Sequence, residues 1–376
     1  MPRILIITGE ASGDLHGANL ARALKALDPG LSILGIGGAS MRAAGVELVP
    51  GVPQLDIIGL IGPSAVAVML KRILAVRRVL RTESFDLVVL IDNPGLNLHF
   101  ARVAKAAGRR VLYYIAPQIW AWRPRRIKWI QRRVDHMVVI LPFEEPLYRR
   151  AGVRCTFVGH PLLDAVAPSL DQGELRKRFG VDRAVTVIGL LPGSREGEVR
   201  SLLPVMLEAA GRLASERPGV EFLLAQASSI QDNLMCELLA DAPVPVRVRR
   251  DQANEVMAAS DLLFVASGTA TLQAAVVGAP MVLLYRVPWL TYWIARALIQ
   301  VDCIGLVNLV AGRKIVPELI QQEATPERLN REAVRLLTDK TAYDEMKAAL
   351  HAVRRSLGEP GASRRAAEVA LSECRA

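Results

Sequence analysis

Along the chain, short runs of β-branched and other apolar residues alternate with stretches in which apolar side chains recur at helical spacing. The runs Ile4–Ile7, Ile33–Ile36, Leu87–Ile91, Val111–Ile115 and Met137–Leu141 predict buried strands in the first half. After a Pro-containing interruption the pattern resumes with Val185–Leu191, Phe222–Ala225, Leu262–Ala266 and Met281–Leu284. Strand and helix signals in strict alternation predict an α/β chain of two tandem Rossmann-like domains, over residues 1–165 and 170–345. The linker is expected near Pro161–Gly173, where both periodicities lapse. Beyond Pro326 the composition is helical, interrupted at Gly358–Ser363, and residues 346–376 are expected to form helices that pack back on the first domain.

Composition changes this picture little. At 376 residues, two domains are the first expectation, and 51% hydrophobic against 22% charged residues supports folded cores rather than disorder. The formal net charge of +10 favours an anionic partner: nucleic acid, acidic lipid or a phosphorylated substrate. Cys155, Cys236, Cys303 and Cys374 are widely separated and form no Cys-x-x-Cys pair, so neither a zinc site nor a disulfide framework is expected, and a reducing cytoplasm fits. The amino-terminal residues enter a strand at once, so no export signal is expected. The apolar stretch Ile57–Leu70 contains Pro63 and ends at Lys71 and Arg72, too short to cross a bilayer. The wider segment 57–81 mixes large apolar residues with Lys71, Arg72, Arg77, Arg78 and Arg81. As a helix it places Val66, Met69, Leu70, Ile73, Leu74 and Val76 on one flank, which suits either an anionic membrane surface or a helix covering a sheet.

Ligands of open α/β sheets bind beyond the carboxyl ends of the strands. Five motif-like segments stand there: "TGEASGD", "DNPGLN", "APQIWAWR", "LPGSREGEV" and "ASGTATLQ". Gly193, Ser194 and Arg195, ahead of a helix, have the makings of a phosphate cradle, although the spacing is not that of a Walker motif. Ser267, Gly268 and Thr269 offer a second, and two such loops in one domain point to a nucleotide diphosphate. Ordinary helix capping is the alternative for both. Asp92, held before Pro94 and Gly95, is a candidate proton acceptor, or a turn former. Glu10 is a poorer turn former and calls for more explanation. The five histidines show no metal spacing, and no metal ligand set is assigned. Gln118–Arg133 interleaves three tryptophans with basic residues, compatible with nucleic-acid stacking, interfacial anchoring or plain packing.

In order and spacing, "GEASGD", "YYIAPQIWAWR", "LPFEEPLY", "FVGHPLLD", "LLPGSREGEV", "ASGTATL" and "NLVAGRKIVPELIQ" resemble the lipid-A-disaccharide synthase family over most of the chain. The resemblance implies the two-domain glycosyltransferase-B fold and an inverting transfer from UDP-2,3-diacylglucosamine to 2,3-diacylglucosamine 1-phosphate, with release of UDP. It implies no cofactor and no metal, a cytoplasmic protein bound peripherally to inner-membrane lipids, no nucleic-acid partner, and leaves room for a homodimer. Carried over by position, Asp92 is the general base, Glu10 and Asn308 position sugar or acceptor, and Gly193, Ser194, Arg195, Ser267, Gly268 and Thr269 take the diphosphate. Gln273 stands where the family usually has a Glu at the ribose. Gly62, Gly305 and Val307 likewise replace a frequent Glu, Ser and Pro. The small residues of the first turn are then expected to let substrate approach, with Glu10 facing it and Asp14 supporting the N-terminus of the helix that follows. The rivals are another UDP-sugar enzyme of this fold, such as a UDP-N-acetylglucosamine epimerase or the lipid II glycosyltransferase, against which Trp-Ala-Trp-Arg and "VPELIQ" argue. A basic binding protein without turnover is the rival from another class, kept open by Gln273.

Overall fold

The structure, a computed structural model, describes residues 2–52, 55, 63–122, 124–166, 171–182, 184–289, 292 and 303–375. Gly62 and the start of the basic segment, residues 57–61, lie outside them, as does part of the expected linker, 167–170. The chain forms two compact units: residues 1–161 together with 357–376, and residues 162–356.

The first unit is a parallel sheet of β1 (Arg3–Thr8), β2 (Ser32–Ile36), β3 (Glu47–Leu48), β4 (Leu87–Ile91), β5 (Arg110–Tyr114), β6 (His136–Val139) and β7 (Cys155–Phe157), in the order β3-β2-β1-β4-β5-β6-β7. Its central strands are apolar at successive positions because both faces are covered. Leu5, Ile7, Val88, Leu90, Val111 and Tyr113 point to one side, against Val76, Val79 and Leu80 of the helix Pro63–Thr82 and Leu98 and Ala101 of the helix Pro94–Ala106. Ile4, Ile6, Leu87, Val89, Leu112 and Tyr114 point to the other, against Leu20 and Leu24 of the helix Ala11–Leu27.

The terminal helix Ala362–Arg375 completes that second face with Ala366, Ala367, Ala370 and Leu371. Three alanines let it lie close to the strands. Its Glu373, 1% exposed, is held by Arg110 and Arg154 at 2.7 Å each and by Nδ1 of His136 at 2.9 Å. The helix Lys340–Ser356, by contrast, belongs to the second unit, where it buries Met346, Leu350 and Val353. A boundary at 345/346 therefore falls inside a helix, and the chain changes unit at Leu357.

The second unit is a parallel sheet of β8 (Thr186–Leu191), β9 (Val220–Gln226), β10 (Val246–Arg250), β11 (Leu262–Ala266), β12 (Met281–Tyr285) and β13 (Glu318–Ile320), in the order β10-β9-β8-β11-β12-β13. In each unit the strand order reverses once, between β1 and β4 in the first and between β8 and β11 in the second. At such a point neighbouring crossovers run to opposite sides and leave a crevice. The loops at the two crevices are those singled out by sequence.

Candidate active site

At the first crevice, Glu10 follows β1 and Asp92 follows β4. Glu10 occupies the N-cap position of the helix Ala11–Leu27, but its exposed side chain makes no capping bond. Asp92 and Asn93 are consecutive left-handed residues, φ 50° and 44°, a strained conformation that Asp and Asn tolerate better than most. The Asp92 carboxylate is solvent-accessible yet walled by protein. This enclosure pushes its pKa above the ordinary aspartate value; the Asn93 N–H opposes the shift, and the negative charge of Glu10 adds to it.

Gly9 has a local reason to be glycine. A Cβ there would lie 2.1 Å from Nδ2 of Asn93 and 2.8 Å from its Cγ. The expectation that this turn is small to admit substrate is thus corrected at Gly9, which makes room for a side chain of the chain itself. Asp14 also differs from expectation. It is buried, and its carboxylate accepts from the backbone N–H groups of Gly38 (2.7 Å), Ser40 (2.8 Å) and Met41 (3.3 Å). It therefore caps the neighbouring helix Ala39–Ala43 rather than its own.

The loop after β5 is fixed from below. Trp120 Nε1 donates to Glu144 at 3.2 Å, and the Tyr148 hydroxyl donates to the Pro117 carbonyl at 3.1 Å. Burial pushes the Glu144 carboxyl up to about 8 against the opposing bonds from Trp120, Leu141 and Ile140, so it is largely protonated at neutral pH. Sequence reading missed Glu144, whose environment cannot be inferred from "LPFEEPLY" alone.

At the second crevice, a cavity of about 520 Å³ is lined by all seven residues assigned to the nucleotide: Gly193, Ser194, Arg195, Ser267, Gly268, Thr269 and Gln273. The helices Glu196–Glu216 and Thr269–Val277 start there, and neither N-cap residue, Arg195 or Gly268, caps with a side chain. Their first N–H groups remain available to an anion, which favours the cradle over ordinary capping. Gly193, at φ 114°, also makes room for Glu198, whose Oε2 would stand 2.6 Å from a Cβ. Arg195 is 81% exposed and pairs with Glu198 at 3.1 Å. Gln226, Ser228, Asp251 and Asn254 form the far wall of the cavity and were missed. Gln226 and Ser228 lie at the end of β9, whose following loop was not among the segments singled out, and Asp251 and Asn254 follow β10, an edge strand without an apolar run to mark it.

Asn308 is placed elsewhere. It is fully buried in the second unit, where Nδ2 donates to the Val316 carbonyl (3.0 Å) and to Glu318 (2.8 Å), and Oδ1 accepts from the N–H groups of Ile315 (2.8 Å) and Val316 (3.0 Å). All four of its hydrogen-bonding positions are spent within the chain. The expectation that Asn308 contacts sugar or acceptor is corrected accordingly, because no group is left to do so. Gly305 abuts the same knot, with Leu283 2.4 Å from a Cβ placed there, and Val307 is buried.

The basic helix Pro63–Thr82 divides its apolar residues. Val76, Val79 and Leu80 face the core, whereas Val66, Leu70 and Leu74 are 62%, 55% and 59% exposed. The single flank expected from sequence is therefore two faces, one for the sheet and one for solvent. Nearby, Arg133 donates to the Leu98 carbonyl at 3.1 Å and stacks on the half-exposed Trp129. His99 is held below its ordinary value by burial and by Arg102, Arg77 and Arg133. No helix among the described residues is long and apolar enough to cross a membrane, and among them no three His, Cys, Asp or Glu side chains are grouped to hold a metal.

A sequence model of the lipid-A-disaccharide synthetase family matches residues 4–372. A lipid-A-disaccharide synthase of Geobacter metallireducens is 47% identical over 98% of this chain and 96% of its own. The chain belongs to the lipid-A-disaccharide synthase family. It is thus a glycosyltransferase of lipid A biosynthesis that uses a UDP-sugar. Solved structures agree on the fold at low identity. A UDP-GlcNAc 2-epimerase of Neisseria meningitidis, bound to UDP-GlcNAc, matches with TM-score 0.65 at 12% identity over 98% of this chain and all of that one. MurG of Acinetobacter baumannii matches with TM-score 0.59 at 15% identity over 99% and 100%. Epimerase and transferase share the glycosyltransferase-B architecture, so fold alone leaves the rivals level. Membership of the lipid-A-disaccharide synthase family is what separates them.

Proposed function

We propose that this chain joins UDP-2,3-diacylglucosamine to 2,3-diacylglucosamine 1-phosphate through a β-1,6 bond, releasing UDP and inverting the anomeric centre. The observation that carries this reading is the cavity at the second crevice, where two uncapped helix N-termini and Arg195 converge. The diphosphate takes the N–H groups beside Ser194 and Thr269, and Arg195 exchanges Glu198 for a phosphate oxygen. Gln273 takes a ribose hydroxyl. Asp92 accepts the proton of the acceptor 6-hydroxyl as that oxygen attacks the anomeric carbon, and the bond to the diphosphate breaks with its electron pair leaving on UDP. Glu10 orients the acceptor. Asn308 supports the 315–318 segment rather than substrate. Helix termini and arginine offset the diphosphate charge, so the reading assigns no resident metal or cofactor.

The test is disaccharide and UDP formation by purified protein from the two substrates in detergent micelles. UDP binding without product would reject these substrates. Arg195→Ala is expected to weaken UDP binding about 10- to 100-fold by titration calorimetry, the range for losing a charged hydrogen-bond partner. Unchanged affinity would remove Arg195 from the site.

Both substrates carry acyl chains, and the exposed stripe Val66, Leu70 and Leu74, flanked by Lys71, Arg78 and Arg81, fits peripheral docking on the anionic inner leaflet. Leu70→Ser combined with Leu74→Ser is expected to lower partitioning onto anionic phospholipid vesicles by about tenfold or more, judged from the apolar area lost. Cosedimentation equal to wild type would return the helix to a purely structural role.

A further inference from the structure

We propose that Tyr113 and Asn97 are positioning residues for the transfer, acting on the Asp92 carboxylate through the backbone oxygen that both of them hold. The Asp92 carbonyl accepts from the Tyr113 hydroxyl at 2.5 Å and from Asn97 Nδ2 at 2.7 Å, which occupies both of its lone pairs. Asn97 Nδ2 also donates to the carbonyl of Ile91 at 2.9 Å, so one carboxamide spans the last residue of β4 and the first beyond it. On the other side, the Asp92 N–H donates to the Tyr114 carbonyl at 3.1 Å. Tyr113 and Asn97 are almost fully buried. The Asp92 backbone is therefore held at both its polar groups while its carboxylate makes no side-chain bond among the described residues.

This clamp has something to oppose. Two consecutive non-glycine residues in the left-handed region are strained, and such a turn persists only where its surroundings over-determine it. Gly9 contributes by receiving Asn93, and Asn97 and Tyr113 contribute through the carbonyl. Relaxation of the turn would swing the carboxylate away from its line of approach to a hydroxyl, and displacement of a reacting group by about 1 Å costs up to about 10²-fold in rate. It would also withdraw the Asn93 N–H, which now lowers the Asp92 pKa. The charged or titratable groups that bear on this site are Glu10, from the loop after β1, Tyr113 itself, from β5, and Arg126, which acts on Tyr113. Tyr113 stays protonated through the working range, because burial and Asp92 both raise it.

The proposal rests on Asp92 being the base, so the test includes that residue. Tyr113→Phe, Asn97→Ala and Asp92→Asn are compared with wild type for kcat, KM, UDP affinity and the acid limb of the kcat/KM profile, each on the folded fraction set by thermal melting. The expected result is an inactive Asp92→Asn, with Tyr113→Phe and Asn97→Ala lowering kcat about 10- to 100-fold. KM and UDP affinity stay constant, and the acid limb moves to higher pH as the Asn93 bond loosens. A merely structural role would lower the melting temperature but leave kcat and the acid limb of the folded fraction unchanged, and that outcome overturns the proposal while leaving the base in place. Should Asp92→Asn retain turnover, the base assignment itself fails and the proposal falls with it, a result distinct from the previous one. If Tyr113→Phe does not fold, Asn97→Ala decides by the same criteria.

Discussion

Asp92→Asn should lose about 10²- to 10⁴-fold in kcat, the usual contribution of a positioned general base, with UDP affinity unchanged. Asparagine keeps the volume and tolerates the left-handed backbone as aspartate does, so the turn at φ 50° survives and the loss is chemical. The wild-type pH profile carries a second signature. Enclosure and the charge of Glu10 raise the Asp92 pKa, and only the deprotonated carboxylate can take the hydroxyl proton. Activity should therefore fall as pH falls through a value above the ordinary aspartate range, and Glu10→Gln should move that limb to lower pH. A rate profile flat across this range in wild type would count against Asp92 as the titrating group.

The largest effect on stability is expected at Glu373, far along the chain from either crevice. Glu373→Ala leaves the buried His136 without its carboxylate and two arginines to find water, at a cost of about 2 to 4 kcal/mol. For a unit of this size that corresponds to a fall of roughly 5 to 15 °C in melting temperature. The pH dependence follows from the carboxylate. Burial alone would raise its pKa, but His136, Arg154 and Arg110 outweigh burial and hold it below the ordinary glutamate value. Its stabilisation is accordingly complete above the unfolded value of about 4.3 and is lost as pH falls through the folded one. Thermal melts of wild type and Glu373→Ala should converge in acid and diverge above it. Parallel curves would show that the ion cluster contributes little.

The strands that periodicity located are interior ones, and those it missed share one property. Glu47–Leu48, Cys155–Phe157, Val246–Arg250 and Glu318–Ile320 are the four sheet edges. An edge strand is covered on fewer sides and needs no apolar run, which is how "VRVRR" pairs with β9 while Arg247 bridges to Glu221 at 2.8 Å and Arg249 stacks on Phe179. The crevices were legible because chemistry at strand ends is written in small residues and isolated charges. Orientation was not. Asp14 and Asn308 were correctly marked as polar residues with a task, yet three backbone N–H groups claim one and the 315–318 segment claims the other. Partners remote in sequence decided both, and no local pattern encodes them.

The return of the last helix to the first sheet imposes an order of events on synthesis. Residues 162–356 are contiguous and can close their own core as soon as they leave the ribosome. The first unit begins earlier but cannot finish. Until Ala366–Leu371 emerges, the face formed by Ile4, Ile6, Val89 and Leu112 lacks part of its cover. From the time these strands emerge until the last few residues are made, the chain therefore carries an apolar sheet with part of one face uncovered, a window in which a chaperone or a neighbouring nascent chain can bind it. A stop codon a dozen residues early would leave every residue of both crevices encoded, and deprive the half that holds Asp92 of its lid.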